Sequence, residues 1–253
     1  MNRRLIAWSA LSLAGIAVFL ALGVWQVERR AWKLDLIATV DRRIHAAPVA
    51  MPGPREWPSV NARDDAYRHV RVRGRFIAHN DTLVKAVTEL GGGFWVLTPL
   101  KTASGAIVLV NRGFVPADRR SDIGLPPGDV NVTGLLRVTE PGGAFLRSND
   151  PGADRWFSRD VQAIARARHL TGAAPFFIDA DASSEGRGVP VGGLTVVSFP
   201  NNHLVYALTW FGLAAMLAGW TCTLAKQEWR SRKNRLDGNG RPVVLADLSG
   251  RLP

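Results

Sequence analysis

The sequence predicts a membrane protein in which two transmembrane α-helices flank an extracytoplasmic α+β domain, itself dominated by an antiparallel β-sheet or barrel. Three observations predict it. Residues 5–27 (LIAWSALSLAGIAVFLALGVWQV) and 204–225 (LVYALTWFGLAAMLAGWTCTLA) carry no charge, and each exceeds the roughly 20 apolar residues that cross a hydrocarbon layer of ~30 Å. The stretch between them, 28–203, breaks into short strand-like runs separated by Gly, Pro and Asp/Asn turn signals. A dense basic cluster, KQEWRSRKNR at 226–235, follows the second span directly.

In chain order, a short cytoplasmic segment at 1–4 leads into the first span, 5–27. A cleaved signal peptide is the competing reading, but its apolar region runs only ~7–15 residues, and ALG at 21–23 is a poor cleavage site. Aromatic and basic residues just beyond suit an uncleaved anchor. From 28 to 45, Trp32, Leu36, Ile37, Val40 and Ile44 recur at helical spacing, so the span continues as an amphipathic helix until Pro48, Pro52, Pro54 and Pro58 end it. YRHVRVRGRF at 67–76 then alternates strictly, placing Val70, Val72, Gly74 and Phe76 on one face and Arg71, Arg73 and Arg75 on the other, a half-buried strand. Further strands are expected at 82–88, 94–98, 106–115, 130–138, 175–179 and 194–199, with GGG at 91–93 as a hairpin loop. One helix interrupts them, capped by Ser158 and ending near Gly172, with Val161, Ile164, Ala165 and Arg168 along one face. The second span, 204–225, and a basic cytoplasmic tail, 226–253, complete the chain.

Orientation follows from the second span, which has Lys226, Arg230, Arg232, Lys233 and Arg235 behind it and only Arg187 in the twenty residues before it. Basic flanks stay inside. Both termini are therefore expected in the cytoplasm, although Arg29, Arg30, Lys33, Arg42 and Arg43 argue the other way around the first span. Loops longer than ~60 residues translocate largely regardless of charge. The net charge of +11 is dispersed apart from the 226–235 cluster, which points to membrane lipid rather than nucleic acid. Cys222, the sole cysteine, lies within the second span, so thiol-based metal or redox chemistry is not expected.

Catalytic patterns do not emerge: G-x-S-x-G, H-E-x-x-H and a Lys-bearing phosphate loop are all missing from the sequence. Asp64 with Asp65, and Asp179 with Asp181, read as solvated turn formers. His45, His69, His79 and His169 share no metal-ligand spacing and read as ordinary polar histidines.

LGVWQVERRAWK (22–33), YRHVRVRGRF, VLVNRGFVP (108–116), NDP with WF (149–157) and PNNHLVYALTWFGLA (200–214) resemble, in order and over nearly the whole chain, the surfeit-locus family of cytochrome c oxidase assembly factors. The tail from 229 carries no such motif, and 116–130 is loosely matched. The resemblance implies a non-enzymatic protein of the cell inner membrane that helps haem a reach the core subunit of a terminal oxidase. Its implied partners are haem a, that subunit and the haem a synthesis machinery.

Against that background the border at 200–210 has two readings. In one, Asn201 or Asn202 caps the second helix and His203 keeps its polar edge wet at the interface. In the other, His203, Tyr206 and Trp210, at i, i+3 and i+7, form a stripe beside Ala207 and Ala214 that holds a flat ring, with His203 as axial ligand to haem iron. At the exit of the first span, Trp25, Arg29 and Trp32 form one stripe, with Gln26, Arg30 and Lys33 beside it. Arg29 or Arg30 is the candidate propionate clamp, since guanidinium binds carboxylate bidentately. Spacing alone favours an aromatic belt with basic anchors, and the resemblance brings the haem reading level with it. Two functions of different class stay open: haem a binding and delivery, and a cofactor-free scaffold that holds oxidase subunits during assembly.

Overall fold

The computed structural model describes residues 3–144, 146–182, 190–194 and 199–238. They divide into two compact units, one of residues 1–35 with 200–253 and one of residues 36–199. The first unit holds the two helices that are long and apolar enough to cross a membrane. Helix α1, Arg3–Ile44, runs unbroken through both the predicted span and its amphipathic continuation. The last predicted strand, at 194–199, falls mostly on residues outside those described, as does the tail beyond 238.

The second unit is built on β1 (Val49–Ala50), β2 (His69–Phe76), β3 (Thr82–Thr88), β4 (Gly91–Thr102), β5 (Ile107–Pro116), β6 (Val130–Val138) and β7 (Ala173–Ala180). Their order across the sheet is β1-β2-β6-β7-β5-β4-β3, and a further pairing of β2 with β4 closes the middle five into a barrel. Pairing is antiparallel except for β1 with β2 and β5 with β7. That closed order, with one parallel seam, is the Greek-key arrangement of an OB-type barrel. Closure depends on Gly74, which pairs with Val130 on one side and Thr102 on the other. A Cβ there would come within 2.4 Å of the Lys101 carbonyl oxygen, so only glycine lets the strand coil past its second partner.

Alternation along the strands produces two cores. Val70, Val72, Leu100, Val108, Val110, Leu136, Phe176 and Ile178 fill one. Leu109 and Phe177, one step out of phase, join Val84, Leu97 and the fully buried Trp156 against α3 (Val161–Ala167) in the other. Thus β5 is apolar on both faces, while Arg71, Arg73 and Arg75 of β2 stand exposed together as the alternation predicts. A short helix, α2 (Ala62–Asp65), takes up Asp64 and Asp65 in its first turn under an Asn61 cap.

Three local expectations are corrected. Asp160, not Ser158, caps α3, accepting from the Ala163 N–H. The Ser158 hydroxyl accepts instead from the Gly143 N–H and the Asn149 amide, both at 3.0 Å. The helix ends before Gly172 because His169 turns left-handed at φ 54° and the Leu170 N–H reaches back to the Ala165 carbonyl, a Schellman-type stop. The β3–β4 turn is Glu89–Leu90, and Gly91–Gly93 belong to β4 itself.

Asp179 is the largest correction: it is buried in β7 rather than solvated in a turn. The Asn111 amide donates to it at 2.8 Å, and Arg137 and Arg159 bind it at 2.7 and 3.2 Å. Both guanidinium groups also hold Glu140. A carboxylate away from water requires such partners. Asp181 is likewise engaged, binding His69 Nε2 at 2.8 Å, while His69 Nδ1 meets the Ala46 carbonyl at the same distance.

Candidate functional site

The candidate site lies on the helix pair, where α1 and α4 (His203–Gly238) pack antiparallel through contacts that descend one helix as they climb the other. A Cβ on Gly15 would stand 3.0 Å from Leu217, Phe19 stacks on Trp210 at 5.8 Å, and Gly23 forms the notch that receives the Phe211 ring. In lipid no hydrophobic force drives helices together, so small residues that permit close approach must do so by packing. Ala207 and Ala214 are buried on the same face of α4. The small-residue trough expected beside His203 is therefore part of the buried α4 face that meets α1.

At one end of this seam His203 Nδ1 lies 2.8 Å from Gln26 Oε1. With the amide oxygen as acceptor, Nδ1 carries the proton and Nε2 keeps its lone pair. Fixing the tautomer from one ring nitrogen is how ligating histidines are commonly prepared at the other. No hydrogen bond to Nε2 occurs among the described residues, and His203 is half-buried. Two positions earlier, Asn201 Oδ1 is buried with no hydrogen-bond partner among the described residues. Asn202 begins the helix through its carbonyl, which accepts from the Tyr206 N–H at 3.3 Å. With Nδ1 engaged by Gln26, Nε2 is the ring nitrogen open to a metal, and Asn201 Oδ1 two positions earlier is open to a donor.

The other predicted residues separate. Tyr206 is 55% exposed, whereas Trp210 is half-buried against Phe19. Trp25 is 53% exposed. The Arg29 guanidinium lies 3.9 Å from the centre of the exposed Trp32 ring, so that stripe faces outward. The neighbouring stripe is the one that meets α4: Gln26 is buried, and Arg30 one turn beyond it is half-buried. Gln26 is thus the contact of His203 that spacing arguments placed only beside the site. Its signal was a lone amide within an apolar span, a group that needs a partner. Among the described residues, no group of three or more His, Cys, Asp or Glu side chains is placed to hold a metal ion.

The sequence profile described as the SURF1 family matches residues 13–215, from early in α1 to well inside α4. Surfeit locus protein 1 of Homo sapiens is 40% identical over 216 residues, covering 77% of this chain and 69% of that protein. Its counterpart in Mus musculus is 38% identical over 220 residues, with 79% and 69% covered. A SURF1-like protein of Drosophila melanogaster is 32% identical over 222 residues, with 79% and 71% covered. With the β domain, the His203 border and part of each long helix inside the matched region, the chain belongs to the SURF1 family.

Proposed function

We propose that this chain is a non-enzymatic assembly factor for a haem–copper terminal oxidase, which holds haem a at the outer membrane interface and passes it toward the oxidase core subunit. Family membership supports the assembly role. The observation that carries the haem reading is the bond from His203 to Gln26, which leaves Nε2 with its lone pair at the end of an apolar helix seam. Neutral imidazole is a usual axial ligand to haem iron. At this border an isoprenoid tail meets lipid and the propionates meet water. Arg30, on the stripe of Gln26, is better placed than Arg29 to bind a propionate. The basic residues behind α4 support a cell inner membrane location with both termini cytoplasmic and the β domain outside.

A second reading is favoured by the same bond, since Gln26 and His203 join the two helices directly: a cofactor-free scaffold for oxidase subunits. Pigment separates the two. Protein purified from membranes that make haem a is expected to show haem absorption that is missing from membranes that do not. His203→Ala should abolish it, and Gln26→Leu should weaken haem affinity by about tenfold or more, as loss of a ligand's orienting partner does. Arg30→Lys should weaken it further than Arg29→Lys, because lysine keeps charge without the planar fork. Colourless protein from both sources, still supporting oxidase assembly, establishes the scaffold instead.

A further inference from the structure

On the β domain a cleft of roughly 330 Å³ opens under the tip of the β3–β4 hairpin, lined by Tyr67, Val87, Leu90, Trp95, Arg137 and Arg159 among others. Its floor is rich in donors but balanced in charge. Arg137 and Arg159 face Asp179 and Glu140 at 2.7–3.2 Å, and each guanidinium carries five N–H groups, so about half of them have no acceptor among the described residues. Such a floor suits carbonyl oxygens. A carboxylate or phosphate would instead add unmatched negative charge beside Asp179, Glu140 and the Glu89 at the rim.

One wall of the cleft is a strand edge. The Lys85 N–H donates to the Trp156 carbonyl at 2.9 Å, on the side of β3 away from β4. Strand residues alternate sides, so the N–H and carbonyl of Val87 point the same way. The segment that covers the edge at Lys85 then turns off, because the N–H groups of Phe157 and Ser158 both donate to Asn149 Oδ1. Val87 and Leu90 are 88% and 54% exposed at this end, and no other described residue is hydrogen-bonded to the outer side of β3 at Val87. Opposite them Tyr67 holds a left-handed backbone, φ 63°, that bulky residues rarely adopt, and its ring lies 4.8 Å from the Arg137 guanidinium.

The geometry points to a docking cleft for an extended, uncharged peptide segment of a partner protein. That segment continues along β3 the line that Trp156 begins, pairs with Val87, gives its carbonyls to Arg137 and Arg159, and sets an apolar side chain between Val87, Leu90 and Trp95. Strand addition to an open edge supplies affinity through the main chain and selectivity through alternate side chains. The chain already uses the mode on itself at Trp156. This inference is independent of pigment.

Panning a displayed heptapeptide library against the full chain in nanodiscs tests it. Enriched peptides are expected to carry apolar residues at alternate positions and no acidic ones, and to slow exchange of the Val87 amide. They should bind at least tenfold more weakly to Val87→Pro, which removes an N–H that β4 does not use, and to Leu90→Asp, which leaves the backbone intact. Circular dichroism identical to the parent verifies each variant. Enrichment of acidic peptides, equal binding to both folded variants, or no enrichment over empty nanodiscs overturns the proposal.

Discussion

The helix pair and the β domain treat polar groups in opposite ways. Along the seam of α1 and α4, Gly15 and Gly23 leave room for the Leu217 and Phe211 side chains, Ala207 and Ala214 are buried, and the polar contact of Gln26 with His203 sits at one end. In the β domain Asp179 is buried, and Asn111, Arg137, Arg159 and Glu140 are arranged around it. Lipid already solvates apolar side chains, so shape must join the helices. The water-facing domain has an apolar core to hold it together and carries a charge network within it, where removing one member leaves the others stranded. The helix seam is therefore sensitive to volume, and the barrel to charge.

The largest expected effect comes from breaking the charge side. Asp179→Ala leaves Arg137 and Arg159 without their shared carboxylate and should destabilise the β domain by about 3–5 kcal/mol. Urea unfolding of the full chain in detergent, followed by proteolysis of the domain, measures it, and Asp179→Asn should fall between variant and parent. The volume side is broken by Gly23→Val. A Cβ at Gly23 would stand 2.5 Å from the Phe211 ring, an overpacking cost of about 1–3 kcal/mol. Cysteines at positions 15 and 217, in a Cys222→Ala background, should crosslink in the parent and lose that crosslink in the variant, with the β domain's urea midpoint unchanged.

A smaller effect, and one that sharpens the comparison, is pH dependence confined to the β domain. Burial works to lower the His69 pKa, but its hydrogen bonds to the Asp181 carboxylate and Ala46 carbonyl outweigh that and raise it above the ordinary value. A raised pKa stabilises the fold fully below the unfolded value of ~6.5 and loses that contribution as pH rises through the folded value. His69→Gln should flatten this loss, which amounts to no more than about 1 kcal/mol for a contact in partial reach of water. Urea midpoints measured from pH 5 to 9 check the sign. The smallest effect is expected at Arg73→Glu on the exposed face of β2, within about 0.5 kcal/mol. A cost there as large as at Asp179 would break the distinction between exposed and buried charge.

The spans were legible because a bilayer demands a long uncharged run, and β2 because one buried face imposes strict alternation on His69–Phe76. The end of α3 was not, since a left-handed His169 carries no mark of its own. Nor was the setting of Asp179: its partners Arg159, Arg137 and Asn111 lie 20, 42 and 68 residues away. The available hint was a carboxylate inside the apolar run AAPFFIDA, where a charge must find a counter-charge. At the candidate site His203 stood out in sequence, and Trp210 was read on its stripe. Which face of α1 it would meet depended on Gly23 and Phe211, a matter of fit between helices that neither helix's own periodicity contains.

The parallel seam between β5 and β7 also sets a timetable. Neighbours in the barrel that arrive early, β2, β4 and β5, can form hairpin-like pairs as the chain is made, but β7 at Ala173–Ala180 is the strand that joins β5 to β6. Until it arrives both of those strands present open edges, and contacts of such long sequence separation form slowly. Only twenty-two residues separate the end of β7 from His203, where α4 begins. Completion of the barrel and arrival of the second span thus fall close together in synthesis. A chain released before Ala173 carries one membrane helix and an unclosed sheet, a species prone to pair with its own kind.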